Sequence, residues 1–220
     1  MFTDFEFEPL PNIISAWKGH GKFAQWIVNK IQPKSIVELG VHFGFSYFCF
    51  CQTIKKLNIP CSAVAVDLWK GDYQNGFYDK KYWDDAYNGV IEENKKYSEF
   101  SKILRMSFDE ALPLIADNSI DLLHIDGCHE YETVSHDWDM WQHKLNSNGV
   151  VLFHDTNVRN SSKNFGVWKF FEELVMKEKN TFEFLHSSGL GVMAKNPSLL
   201  PELFNIDEQR KSEIRAFFEK

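Results

Sequence analysis

Short apolar runs alternate with amphipathic segments along most of the chain, and this alternation limits the choice of fold more than any other feature. A segment whose apolar residues have helical spacing, from Tyr47 to Leu57, lies between the first two runs. Runs that are apolar on both faces indicate strands of a parallel sheet that is covered by helices on both sides. The sequence therefore predicts a doubly wound α/β fold, with strands at residues 35–39, 62–67, 101–105, 120–126 and 150–153.

A further helix is predicted directly after the fourth strand. Val134, Trp138, Trp141 and Leu145 recur there at spacings of four, three and four residues. We expect this helix to include Leu145, and we expect the Asn-Gly pair that follows to turn the chain into the fifth strand.

The end of the chain departs from the alternation. After a helix at residues 165–179, two apolar strands at 182–185 and 191–194 are separated by only a few residues. A parallel crossover needs a dozen residues or more, so these strands should pair antiparallel. A mostly parallel sheet with an antiparallel last strand differs from the dinucleotide-binding dehydrogenases, which end on another parallel strand.

The length of the chain limits the number of domains, and its net charge limits the class of binding partner. A chain of 220 residues suits one domain, 1–220, with a core at about 17–195 and a helical tail at 198–220. The formal net charge is −7, and no basic patch is visible, which argues against a nucleic-acid partner. A small-molecule or glycan acceptor fits better.

The spacing of the cysteines and the length of the apolar stretches predict the cellular compartment of the protein. Cys49, Cys51, Cys61 and Cys128 have neither zinc-site spacing nor the pattern of a disulfide framework, which indicates free thiols in a reducing compartment. No stretch is apolar for long enough to span a membrane, and the first residues do not resemble a signal peptide. We expect a cytoplasmic protein without membrane insertion.

The segment from Glu38 to Ser46, directly after the first strand, is suited to ligand binding. In open α/β sheets, ligands bind beyond the carboxyl ends of the strands, where the strand order reverses. Gly40 and Gly44 allow the backbone to turn tightly and to approach a ligand closely. A purely structural turn would use the same glycines, but the position between a strand and a helix favours binding.

Two carboxylates near this turn favour a nucleoside cofactor. Asp67 ends the second strand, where a carboxylate can accept both hydroxyls of a ribose. Glu38 suits the amino group and the cationic character of S-adenosylmethionine, whereas a carboxylate there would repel the pyrophosphate of NAD. The turn also lacks the third glycine of the dinucleotide motif. We therefore expect S-adenosylmethionine rather than NAD.

A second set of polar residues follows strands four and five. Asp126 and Asp155, with His129 and His154 close by, form a candidate site for a hard divalent cation. Such a cation would lower the pKa of acceptor hydroxyls, or His129 would take the proton directly. The same groups could instead cap helices. His124, inside the fourth strand, is expected to pack in the core.

Aromatic residues crowd the segment after the second strand, interleaved with charged residues. Aromatic faces stack well on sugar rings, so this segment could cover an acceptor. It could equally form a hydrophobic cluster under a long loop. The residues are Trp69, Tyr73, Phe77, Tyr78, Tyr82, Trp83 and Tyr87.

With these residues assembled, the chain resembles the class I S-adenosylmethionine-dependent methyltransferases. More closely, it is similar to a small bacterial subfamily that is often encoded beside, or fused to, glycosyltransferases. The resemblance runs from about Trp17 to Ala194. Its most specific motifs are Val37-Glu38-Leu39-Gly40, Val66-Asp67-Leu68-Trp69-Lys70-Gly71-Asp72, Leu123-His124-Ile125-Asp126-Gly127 with His129 and Tyr131, and Phe153-His154-Asp155-Thr156-Asn157-Val158.

The resemblance implies a Rossmann-like sheet of seven strands whose last strand is reversed. In similar metal-dependent sugar O-methyltransferases, ligands fall at the positions of Asp126, His154 and Asp155, and a base lies near His129. His154 departs from the acidic or amide residue that is usual at its position. The expected cofactor contacts are Glu38, Gly40, Gly44, Ser46, Asp67 and Asp126, with Ser107 or Phe108 near the adenine.

These observations predict a methyltransferase that uses S-adenosylmethionine to O-methylate a sugar or glycan-type hydroxyl. His129, Asp126 and Asp155 are the expected catalytic residues, Mg²⁺ is the candidate metal, and a homodimer is a candidate assembly. The alternative is a non-catalytic cofactor-binding or scaffold partner in a glycan-assembly complex. Such a partner would have no need for His129 and two carboxylates at neighbouring strand ends.

Overall fold

A computed structural model describes residues 13, 15–71, 79–159 and 164–219. Its centre is a seven-stranded sheet in the order β3-β2-β1-β4-β5-β7-β6. The strands are β1 (Ser35–Leu39), β2 (Ser62–Asp67), β3 (Ser101–Arg105), β4 (Ile120–Ile125), β5 (Leu145–His154), β6 (Thr181–Phe184) and β7 (Leu190–Ala194).

Strands β1 to β5 pair in parallel, and β7 pairs antiparallel with both β5 and β6. The predicted mostly parallel sheet with a reversed last strand is therefore confirmed. The strand order reverses between β1 and β4, and this places a switch point at the carboxyl ends of these two strands.

Helices cover both faces of the sheet. The α-helices are α1 (Gly21–Ile31), α2 (Phe45–Leu57), α3 (Lys80–Asn94), α4 (Phe108–Ala111), α5 (Tyr131–Trp141), α6 (Val167–Lys177) and α7 (Glu208–Phe218). Short 3-10 helices lie at Ala16–His20, Lys95–Tyr97, Leu112–Leu114 and Pro197–Leu199. Among the described residues, the helices are all too short or too polar to cross a membrane.

Each central strand sends alternate side chains to opposite faces, and both faces are buried. On β1, Ile36 joins the cluster formed with α1, α2, α3 and α7, while Val37 joins the cluster formed with α5 and α6. Leu122 and Leu123 divide in the same way on β4. This explains why these strands carry apolar residues on both faces rather than on one.

One predicted boundary is wrong. Helix α5 ends at Trp141, and Leu145 begins β5 and pairs with Ile120 of β4. A buried residue four positions after Trp141 fits a longer helix, but it also fits a turn that leads into a buried strand. The register shifts before Leu122 pairs with Val150, so the Asn-Gly pair lies in the irregular part of β5.

The predicted helical tail contains α7, which packs on this chain's own core. The ring of Phe218 contacts the rings of Phe23, Trp26 and Phe184. Arg215 donates from Nε to the carbonyl of Glu183 at 2.7 Å. The proposed domain boundaries and the homodimer stay predictions.

Candidate active site

A cavity of about 500 Å³ lies over the carboxyl ends of β1, β2, β4 and β5. Its position is the one expected for a ligand in an open α/β sheet. Two of the predicted site residues, Glu38 and Gly44, do not line it. The predicted residues that do line it are Gly40, Ser46, Asp67, Ser107, Phe108, Asp126, His129, His154 and Asp155.

Gly40 brings the end of β1 against the end of β4. Its backbone has a φ of 90°, and a Cβ there would lie 2.0 Å from the carbonyl oxygen of Asp126. Its N–H donates to Val66 on β2 at 2.9 Å, and Asp126 donates its N–H to Leu39 at 2.8 Å. The glycine is thus required by the close approach of three strand ends.

Asp67 organises the first turn through its carboxylate. One oxygen, Oδ2, accepts from the N–H of Val41 at 2.8 Å and from the N–H of His42 at 3.0 Å. The other, Oδ1, accepts from the N–H of Trp69 at 2.7 Å. The side chain is half-buried and lines the cavity, so its remaining acceptor capacity faces the ligand space.

We expect Asp67→Ala to lower the free energy of unfolding by about 2 kcal/mol, because three backbone donors lose a charged acceptor. Denaturant unfolding measures this change. The control is Asp85→Ala, since the side chain of Asp85 is 61% exposed and pairs with Lys81 on the surface. Equal unfolding midpoints for the two variants would show that Asp67 does not hold the turn.

Glu38 is fully buried and accepts hydrogen bonds from within the protein at both oxygens. Ser46 donates from Oγ at 2.8 Å, and Nδ1 of His124 lies 3.0 Å from the second oxygen. Burial raises the pKa of Glu38 above its ordinary value, although His124 and Ser46 oppose this. Glu38 does not line the cavity, and its direct contact with the cofactor stays a prediction.

His124 does more than fill the core, because its tautomer is fixed by Trp17. The indole N–H of Trp17, which can only donate, points at Nε2 of His124 at 3.1 Å. The proton of the neutral imidazole therefore sits on Nδ1, which donates to Glu38. The result is a buried chain of hydrogen bonds from Trp17 through His124 and Glu38 to Ser46 at the cavity wall.

The residues predicted after β4 and β5 come together in one cluster. Nε2 of His129 lies 2.8 Å from Oδ2 of Asp155, and Nδ1 of His154 lies 3.2 Å from the same oxygen. Nδ1 of His154 is also 3.3 Å from Oδ1 of Asp126. We call these four residues the acidic–histidine cluster.

The orientation of His154 is set by the carbonyl oxygen of Ser187, 3.0 Å from Nε2. Because a carbonyl only accepts, Nε2 carries a proton, and Nδ1 points at two carboxylates. Nδ1 therefore carries a second proton or binds a cation. Ligand atoms of Asp126, His154 and Asp155 lie within 4.8 Å of one another, and this donor set fits a divalent cation.

The electrostatics of the cluster follow from its two carboxylates. Burial alone would lower the pKa of His129, but hydrogen bonds with Asp126 and Asp155 outweigh it and raise the pKa to about 10. Burial likewise opposes ionisation of Asp155, yet His154 and His129 hold the pKa of that carboxyl below its usual range. Without a bound cation, the cluster is thus made of paired opposite charges.

Three of the ten described non-glycine residues with a positive φ lie in or beside the cluster. Asp155 has a φ of 61°, and Ser187 and Ser188 have φ values of 48° and 73°. Asp155 donates its N–H to Gly189 at 3.1 Å, which ties the end of β5 to the turn between β6 and β7. Unusual φ values of this kind are typical of functional sites. Here they aim the Ser187 carbonyl at His154.

The aromatic segment after β2 is partly described. Trp69 is buried and donates from Nε1 to the carbonyl of His42 at 2.8 Å, and its ring contacts Tyr87. Trp83 packs in the core and also lines the cavity. These residues support the hydrophobic-cluster interpretation. Tyr73, Phe77 and Tyr78 lie outside the described residues.

Several residues of the site were not found from the sequence. Phe165 lines the cavity and stacks on the ring of His129, with centroids 4.9 Å apart and planes inclined by 17°. Trp17 donates a hydrogen bond to His124, and the carbonyl of Ser187 accepts one from His154. Trp17 and Phe165 come from segments outside the sheet, whereas Ser187 lies in the turn between β6 and β7 and acts through its backbone carbonyl.

Comparison with known proteins identifies the family. A family described as a methyltransferase domain matches residues 37–156, which include the whole acidic–histidine cluster. The uncharacterized protein y4gI of Sinorhizobium fredii is 45% identical over 179 residues, which are 81% of this chain and 19% of that protein. The chain thus spans about a fifth of the length of this curated relative.

Solved methyltransferases share the fold at low identity. PaMTH1 of Podospora anserina, solved with bound SAH, has a TM-score of 0.58 at 14% identity, covering 79% of this chain and 76% of that chain. The O-methyltransferase TomG of Streptomyces achromogenes, solved in complex with SAM, has a TM-score of 0.56 at 13% identity, covering 85% and 84%. Since the family match spans more than half of its residues, the chain belongs to the methyltransferase-domain family.

Proposed function

We propose that this protein transfers the methyl group of S-adenosylmethionine to an oxygen of a sugar or glycan-type hydroxyl. The observation that carries the proposal is the position of the acidic–histidine cluster in the same cavity as Asp67. One end of the cavity suits a nucleoside, and the other holds groups that can bind a hydroxyl and take its proton. A binding partner without catalytic activity would need only the first end.

The cofactor half of the proposal rests on the walls near β1 and β2. Asp67 suits the ribose hydroxyls, and the backbone at Gly40 leaves room for the ligand. Leu68 is 38% exposed and lines the cavity, as does Phe108. Two apolar side chains at this place suit the faces of an adenine ring. The complexes of similar folds with SAM or SAH support the same choice.

In the reaction, the acceptor oxygen attacks the methyl carbon as the bond between carbon and sulfur breaks, and S-adenosylhomocysteine leaves. The hydroxyl proton passes to the pair formed by His129 and Asp155, whose Nε2 and Oδ2 atoms lie 2.8 Å apart. The form of this pair that acts as a base is the one in which Nε2 has lost the proton that it shares with Asp155, and this form increases as the pH approaches the His129 pKa of about 10. The protein gains rate chiefly by holding oxygen, carbon and sulfur in line. Asp126 and Asp155 hold the acceptor.

A divalent cation fits the donor set of Asp126, His154 and Asp155. When bound, it would supply Lewis-acid chemistry that lowers the pKa of the acceptor hydroxyl. Mg²⁺ is one candidate, although the imidazole nitrogen in the set also suits softer metals. The in-line geometry is the same with or without it.

The acceptor class is supported by an aromatic ring beside the acidic–histidine cluster, while the net charge of −7 disfavours a nucleic-acid acceptor. Phe165 beside His129 offers an aromatic surface on which a sugar ring can stack. The resemblance to the subfamily encoded with glycosyltransferases favours the same class. We also propose that the protein is cytoplasmic and that it forms a homodimer.

The test is calorimetry with S-adenosylhomocysteine and with NAD, followed by a methyl-transfer screen over nucleotide sugars and glycans, with and without EDTA. We expect binding of S-adenosylhomocysteine but not of NAD, and methyl transfer to at least one acceptor. Loss of turnover in EDTA that Mg²⁺ or Mn²⁺ restores would establish the metal. Tight NAD binding without binding of S-adenosylhomocysteine would overturn the proposal.

A further inference from the structure

Asp137 is a buried carboxyl in the cavity wall that the proposed reaction does not use. It lies on α5, is 4% exposed, and its Oδ2 atom has no hydrogen-bond partner among the described residues. A buried carboxyl oxygen without a partner is costly, so such a group in a native protein is expected to find a partner in a ligand, an ion or an ordered water. The missing partner is expected to come from the cavity.

The surroundings of Asp137 suit one edge of a flat ring. A Cβ at Gly127 would lie 3.6 Å from Oδ2 of Asp137 and 2.6 Å from the ring of Phe108, so the carboxyl and this ring share one patch of wall. Leu68 lines the same cavity from the end of β2, directly after Asp67. A ring attached to a ribose on Asp67 would therefore lie among apolar side chains with Asp137 as a polar neighbour.

We infer that Asp137 recognises the adenine of the cofactor, accepting from its 6-amino group and donating to the adjacent ring nitrogen. This inference rests on the proposed use of S-adenosylmethionine. A protonated carboxyl has one donor and one acceptor side by side, the same pattern with which an asparagine amide binds adenine. An ionised carboxylate would keep the bond from the amino group but would repel the ring nitrogen.

The protonation state of Asp137 agrees with this role. Burial raises the pKa of this carboxyl to about 7; His136 on the same helix opposes the rise, and Asp109 of α4 adds to it. The protonated form therefore dominates below pH 7, and binding of the base is expected to weaken as the pH rises through this value.

Calorimetry tests the inference with two ligands, S-adenosylhomocysteine and its analogue in which hydrogen replaces the 6-amino group. Wild type should bind the analogue at least about tenfold more weakly, as expected when a polar group is left unpaired. Asp137→Leu should bind both equally. Asp137→Asn should retain binding of S-adenosylhomocysteine within about threefold and lose the weakening between about pH 6 and pH 8.5.

Asp139→Asn is the matched control, because Asp139 lies on the exposed face of the same helix. It should keep both the wild-type discrimination and the wild-type pH dependence. If Asp137→Leu still prefers S-adenosylhomocysteine to the analogue as strongly as wild type does, the inference is overturned while the proposed function stands. If wild type binds neither ligand at either pH, the proposed function fails and takes the inference with it.

Discussion

Replacement of Asp155 by asparagine is expected to lower kcat for methyl transfer by about 100-fold or more, a loss typical of general acid–base groups. The dissociation constant of S-adenosylhomocysteine should stay within about threefold of the wild-type value, because the interaction lost belongs to the reaction and not to cofactor binding. Asp155 contacts both histidines of the cluster, His129 at 2.8 Å and His154 at 3.2 Å. Its loss therefore affects the base and the candidate metal site together.

Asparagine is the sharper replacement because of the backbone. Asp155 has a φ of 61°, a conformation that asparagine adopts at least as readily as aspartate. Alanine would add backbone strain to the loss of charge, and a failure to fold could be mistaken for a catalytic effect. Asparagine keeps the shape and removes the charge.

Steady-state kinetics and calorimetry on the same preparation check this prediction. The matched control is Asp109→Asn, at the mouth of the cavity, whose carboxylate pairs with the exposed side chain of His136. It should keep most of its turnover. If Asp155→Asn kept the wild-type kcat, neither Asp155 nor the candidate metal site could take part in the proposed mechanism.

The sheet could be predicted from the sequence because every strand that forms it leaves a local signature. Strands β1, β2 and β3 occupy the predicted residues, and the short link between β6 and β7 was enough to reverse the last strand. The end of α5 could not be predicted in this way. Its boundary depends on the pairing of Leu145 with Ile120 across the sheet, which the local spacing does not contain.

The same distinction applies to the site. Residues at strand ends could be brought together from the sequence, because parallel strands end at one edge of the sheet, and Asp126, His154 and Asp155 do meet there. The hydrogen-bond partners of Glu38 could not be predicted from the sequence. They depend on the register that pairs Glu38 with His124, and on Trp17, which reaches His124 from a segment outside the sheet.

Asp137 and Ser187 show a further reason why sequence alone was insufficient. Within α5, Asp137 has the pattern of a polar residue beside an apolar stripe, and only the packing of α4 and α5 around the cavity buries it. Ser187 acts through a backbone carbonyl, which carries no side-chain signal. Groups that function through burial or through the backbone become visible only when the tertiary structure is known.

Replacement of Gly40 by alanine is expected to lower the free energy of unfolding by about 3 kcal/mol or more, and to abolish binding of S-adenosylhomocysteine. The new Cβ would lie 2.0 Å from the carbonyl oxygen of Asp126 and 2.9 Å from the nitrogen of Gly127. Both are backbone atoms, so neither can move aside as a flexible side chain can. Relief requires β1 and β4 to separate where Asp126 enters the cluster.

Gly89→Ala is the matched control for this change, since Gly89 lies inside α3 and a Cβ there would meet nothing within 4 Å. In a helix interior, alanine should stabilise the protein by about 0.5–1 kcal/mol, the opposite sign from Gly40→Ala. Thermal and denaturant unfolding of the two variants compare the same chemical substitution in two environments. Unchanged stability and ligand binding in Gly40→Ala would mean that the ends of β1 and β4 can separate freely. In that case the close approach at Gly40 could not be what holds Asp126 at the switch point.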